Sequence, residues 1–166
     1  LEQENQQLKN LLQNSDREDL TVIITSPIVS QVGPTIGVGS NDGVGVGDLV
    51  FVSKTLVGRI REVFPEYAEV DLVTQIDFQP IVAVTAEGFK GLIKGDGKRV
   101  VFTEVLPEES PAPESRIQTV GQVGVENGLF VGQIGKLLSS ASETVKTYQV
   151  IQRVDFYAAS IVEIYK

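Results

Sequence analysis

GVGVGDLVFVSKTLVGRIREVFPEYAEVDLVTQID, residues 43–77, sets the reading of the whole chain. Asn41 and Asp42 precede it and Gly43, Gly45 and Gly47 punctuate its start; such residues take the positive φ that tight chain reversals require. Three apolar segments rich in β-branched residues follow, at 49–52, 56–64 and 67–73, separated by Ser53-Lys54-Thr55 and by Pro65-Glu66. Short strands at close, even spacing with Gly and Pro between them predict a small antiparallel barrel or sandwich.

Working outward, the same style continues on both sides. LTVIIT (20–25) reads as a strand stopped by Pro27, residues 28–32 continue or return it, and PTIGVG (34–39) leads into the glycine-rich turn. Downstream, residues 80–86, 89–93 and 99–105 read as strands, with Gly95-Asp96-Gly97 as a hairpin turn. The stretch LPEESPAPES (106–115) reads as an exposed acidic connector. Beyond it, residues 142–155 alternate like a strand around Val145, Tyr148, Val150 and Ile151. The body is therefore mainly β: two small antiparallel β-barrel-like domains, at 20–105 and 106–166, with exchange of strands between them left open.

The leading residues differ in kind. Residues 1–14 contain no Gly or Pro, and Leu1, Asn5, Leu8 and Leu12 fall at spacings of four, three and four. That is a helix with a coiled-coil seam and a buried Asn, the type of residue that fixes the register of a two-stranded coil. It fits equally a single helix whose leucine stripe docks on its own β-domain. Residues 1–19 are thus read as an N-terminal helix, a candidate coiled-coil dimerisation segment.

Composition narrows the function. The chain of 166 residues is 42% hydrophobic and carries a net charge of −8, without a basic stripe, which argues against binding nucleic acid or anionic lipid. Cys and His are absent, so zinc, thiol and Ser–His chemistry lose their usual ligands and nucleophiles. No run approaches the ~20 apolar residues of a membrane span. The chain begins mid-pattern at Leu1, so a soluble piece cut from an anchored protein is expected.

Neither phosphate-loop spacing fits the glycines, which read as turn formers. A calcium loop through Asn41, Asp42 and Asp48 is the minor alternative, because the alternating acids and closing Glu of such loops are missing. Glu69 and Asp71 share one strand face and read as a solvated exterior. No catalytic residue and no cofactor is predicted. Aromatics at turns are core plugs or partner anchors, and Phe64 and Tyr67, either side of Pro65-Glu66, are the pair most suited to bind a partner.

Several of these segments resemble the rod-shape-determining MreC family. They are Asp42-Gly43-Val44, Gly47-Asp48-Leu49-Val50, Leu56-Val57-Gly58-Arg59-Ile60 with Val63, and Val70-Asp71-Leu72-Val73-Thr74. The likeness returns at residues 91–97 and 128–135, where Phe130 stands for the family's Pro, and at Val154-Asp155-Phe156 with residues 161–165. The resemblance implies a non-enzymatic extracytoplasmic scaffold of the bacterial elongation complex, anchored to the cell membrane by a preceding helix. It also implies homodimers or higher assemblies, and binding to penicillin-binding transpeptidases, MreD and, across the membrane, MreB. The rival reading is a periplasmic adaptor of a secretion or efflux assembly; a glycan-binding or wall-hydrolase domain is a third.

Overall fold

A computed structural model describes residues 22–28 and 33–165. The predicted N-terminal helix, with Leu1, Asn5, Leu8 and Leu12, lies outside these residues. Thirteen strands run through the described residues: β1 (Val22–Thr25), β2 (Pro27–Ile28), β3 (Thr35–Ile36), β4 (Leu49–Val52), β5 (Thr55–Val63), β6 (Ala68–Leu72), β7 (Ile81–Thr85), β8 (Lys90–Gly95), β9 (Val100–Val105), β10 (Arg116–Thr119), β11 (Phe130–Leu137), β12 (Lys146–Ile151) and β13 (Val162–Tyr165).

They form two barrel-like sheets. The first has the order β1-β13-β4-β5-β6-β3-β2; the second is a closed barrel, β10-β11-β12-β9-β8-β7, sealed by β7 pairing with β10. β1 and β2 stand at opposite ends of the first sheet, yet only Ser26 separates them in sequence. One bent strand therefore serves both edges. Ser26 sits at the bend, its hydroxyl donating to the Ser160 carbonyl at 3.0 Å while its own carbonyl accepts from Gly37 N–H at 3.2 Å. The last strand, β13, lies between β1 and β4.

β4 explains how the two sheets hold together. Its sequence LVFV is buried at every position, without the alternation of a strand that has one wet face. Val50 and Val52 point into the core of the first sheet, while Leu49 and Phe51 join the core of the closed barrel. Leu56 and Val57 on β5 divide in the same way. These two strands are a shared wall between two cores. Gln152 adds a polar tie across it: its amide nitrogen donates both to the Leu56 carbonyl (2.8 Å) and to the Val131 carbonyl (2.9 Å).

The pairing divides the chain elsewhere than at residue 105. β7, β8 and β9 hydrogen-bond in one barrel with β10, β11 and β12, so residues 81–151 form the second sheet and the C-terminal β13 returns to the first. The chain crosses between sheets at 73–80 and again at 152–161. Proline content marked 106–115 as a boundary, but proline reports a stretch that cannot pair, not which sheet its neighbours join. This stretch connects two strands of one barrel and is fastened to it. Glu87 accepts from Ala112 N–H and from the Ser115 hydroxyl, both at 2.6 Å, and Lys146 Nζ donates to the Glu109 carbonyl at 2.8 Å.

The Gly95-Asp96-Gly97 signal is a turn as expected, and Asp96 organises it. Its carboxylate accepts from Lys98 and Arg99 N–H and pairs with Arg99 Nε at 2.8 Å. The Arg99 hydrogen bonds hold Asp96 at about 2, below its ordinary 3.8. The Ser115 hydroxyl and the Ala112 N–H hold Glu87 at about 2, below 4.5. Both folded values are depressed, so each group stabilises the fold above its unfolded pKa and loses that contribution as pH falls toward about 2. A chain carrying Glu87→Gln and Asp96→Asn is expected to show a shallower loss of melting temperature over that acid window than the unaltered chain. Parallel curves would remove both carboxylates as acid-sensitive fasteners.

Candidate interaction surface

The glycine-rich turn is a brace. Asp42 Oδ2 accepts from Gly39 N–H (3.1 Å) and Asp48 Oδ2 from Gly45 N–H (2.8 Å), so two of the three proposed calcium ligands engage backbone donors of their own turns. Among the described residues, no three acids come together as a metal site. The turn then reaches the tip of the β5–β6 hairpin, where Ser40 N–H donates to the Phe64 carbonyl (2.9 Å) and Asn41 N–H to the Pro65 carbonyl (3.0 Å). The hairpin closes on itself through Phe64 N–H to the Tyr67 carbonyl at 2.8 Å.

That geometry brings Phe64 and Tyr67 together. Their rings stack with centroids 4.5 Å apart and planes 14° from parallel. Tyr67 is 39% exposed, Phe64 is half-buried, and Pro65 and Glu66 are exposed beside them. A stacked pair on a braced tip presents a flat apolar face and a phenol at little entropy cost, which is the character of a binding anchor. The other turn aromatics divide: Phe78 is core, Phe130 lies beneath the Arg116 guanidinium at 4.2 Å, and Tyr157 is exposed with its ring edge-on to Phe156.

Glu69 and Asp71 do share a face, but it is not the solvated exterior the alternation suggested. Glu69 is 9% exposed and bonds Arg61 at 2.7 Å, and the same guanidinium lies 3.8 Å from Asp71. Burial raises the Asp71 pKa, Arg61 opposes that, and Asp77 adds to it. Arg61 was the missed partner of Glu69: it sits at the β5 irregularity between Ile60 and Glu62, where the register sets Glu62 opposite Glu69, so alternation along the strands gave no signal for it. Nothing in the sequence marked Gln152.

Two antiparallel barrel-like sheets share a buried wall, and the first carries a braced aromatic tip; together they define an all-β double-barrel protein. The family model "Rod shape-determining protein MreC, barrel core" matches residues 22–166. The chain belongs to the MreC family. Solved structures similar to it include MreC from Listeria monocytogenes (23% identity, 99% of this chain and 85% of that one, TM-score 0.76). Another is the major periplasmic domain of the cell shape-determining filament MreC (16%, 88% and 95%, TM-score 0.70). A third is the complex between Penicillin-Binding Protein (PBP2) and MreC from Helicobacter pylori (12%, 89% and 98%, TM-score 0.67). At these identities the likeness is one of fold. No curated protein matches the chain by sequence. The family match favours the cell-shape reading over the secretion or efflux adaptor.

Proposed function

We propose that this protein is a non-enzymatic extracytoplasmic scaffold that organises peptidoglycan synthesis by binding wall synthases of the elongation complex. The observation that carries the reading is the family match over residues 22–166. The MreC of Helicobacter pylori, solved in complex with PBP2, makes a penicillin-binding transpeptidase the first partner to test. MreD and, across the membrane, MreB complete the expected set. The site of work is the outer face of the cell membrane, with an upstream helix as anchor.

The Phe64–Tyr67 stack is the surface we assign to the synthase. Tyr67→Ser, and the double change with Phe64→Ala, are expected to weaken binding to the purified transpeptidase of the same bacterium at least about tenfold, about 1.4 kcal/mol. Biolayer interferometry with melting temperature as control would measure this. Affinity unchanged in a folded variant would remove the tip from the interface.

Self-association is assigned to the seam of Leu1, Asn5, Leu8 and Leu12, in residues 1–19. Leu8→Asp is expected to shift the molar mass measured by light scattering toward the monomer, since it places a charge in the apolar seam. The same mass for both chains would move assembly to another surface.

A further inference from the structure

Both chain crossings between the sheets, 73–80 and 152–161, meet the β8–β9 turn around an open cleft of about 450 Å³. Its walls are fixed in place. Gly97 N–H donates to the Thr74 carbonyl at 2.9 Å, Val73 N–H donates to the Val57 carbonyl at 2.9 Å, and Gln152 ties the two sheets. A preformed concavity of this size is the usual setting of a small-ligand site. Val57, Val73, Val100 and Val150 give it an aliphatic lining.

The rim is aromatic and polar. Tyr157 is 66% exposed, and its ring stands at 89° to that of the buried Phe156. Asp155 caps this turn, its Oδ1 accepting from Tyr157 N–H at 3.0 Å. The ring is thus a positioned platform with a face open to solvent. Groups that donate and groups that accept surround it: Lys98 Nζ, Gln152 Oε1 and Asp155 Oδ2 have no partner among the described residues. Lys98 and Asp155 balance in charge, and Arg99 is already held by Asp96 at 2.8 Å. The cleft therefore selects neither an acid nor a base.

We propose that this cleft binds a neutral saccharide, with one pyranose ring stacked on Tyr157 and its hydroxyls on Lys98, Gln152 and Asp155. A pyranose has an apolar C–H face and a rim of hydroxyls that both donate and accept. That matches an aromatic platform edged by spare donors and acceptors. The topology argues against an extended peptide: β5, β6, β8, β9 and β12 are each paired on both sides, so none offers the cleft a free edge for an added strand. The cleft shares no residue with the Phe64–Tyr67 tip, so it holds its ligand independently of any synthase.

The test is to titrate the isotope-labelled chain with chitotetraose, cellotetraose and maltotetraose, and with tetragalacturonic acid as the charged comparison, following amide shifts. At least one neutral tetrasaccharide is expected to bind with a dissociation constant of about 1 mM or below. The shifts should centre on Thr74, Gly97, Lys98, Asp155 and Tyr157, and the tightest binder identifies the sugar. Tyr157→Ala is expected to cost at least about tenfold in affinity, and Tyr157→Phe, which keeps the ring, less than about twofold. Tyr67→Ser should change nothing, which keeps this site apart from the surface assigned to the synthase. No shift with any neutral saccharide, shifts centred elsewhere, tighter binding of the galacturonate, or undiminished binding by Tyr157→Ala would each overturn the proposal. Equal melting temperatures of the Tyr157→Ala and unaltered chains separate loss of the platform from loss of the fold.

Discussion

Replacing Phe51 with Ala is expected to lower stability by about 3–5 kcal/mol, and to do so across both sheets at once. Phe51 belongs by sequence to the first sheet, yet its ring lies in the core of the closed barrel, 2% exposed and 4.4 Å from the Tyr165 ring. Removing it leaves a cavity against the shared wall. Urea unfolding followed by fluorescence and by amide exchange would report it. A single transition moved to lower urea, with faster exchange in β5 and in β11 alike, is the expected outcome. Two separate transitions, or faster exchange in one sheet only, would show that the wall does not couple the cores.

Gly39→Ala is the second large effect, expected at about 2–3 kcal/mol from overpacking. Gly39 has an ordinary extended φ of −145°, so backbone strain is not the cause. The cause is space: a Cβ there would overlap the Phe64 carbonyl oxygen and come within 2.7 Å of Tyr67 N. Both are backbone atoms of a closed hairpin tip and cannot swing aside as a side-chain end would. The change should unseat the aromatic stack as well as lower the melting temperature, and near-UV circular dichroism would read the loss. Gly47→Ala is the comparison, with positive φ (93°) but open space around the added carbon, and about 1 kcal/mol is expected. Equal costs for the two would mean that close approach at Gly39 is not what holds the tip.

Local pattern carried much of this fold. The three apolar segments of residues 43–77 became β4, β5 and β6, and their breaks became the turn at Ser53 and Lys54, both with positive φ, and the aromatic tip. Phe64 and Tyr67 were legible as a pair because a hairpin turn fixes which residues flank it. The family motifs were legible too, and the family match spans them. Partnership between distant strands was not. Nothing local in VVFTEV (100–105) says that β9 pairs with β12 beyond a proline-rich loop, or that β13 returns to lie beside β4. Burial of Glu69 was hidden for the same reason, since its neutralising Arg61 sits across a register that alternation alone does not set.

The adjacency of β1 and β13 bears on how the molecule carries load. Val22 lies opposite Tyr165 in an antiparallel ladder that ends at Thr25 and Val162. Hydrogen bonds in such a ladder run perpendicular to the strands. Tension that draws residues 22 and 165 apart therefore meets the pairs one after another, as a zipper does, and not all together in shear. The first strand is a mechanical weak point, able to peel from β13 under modest force while the closed barrel at residues 81–151 stays intact.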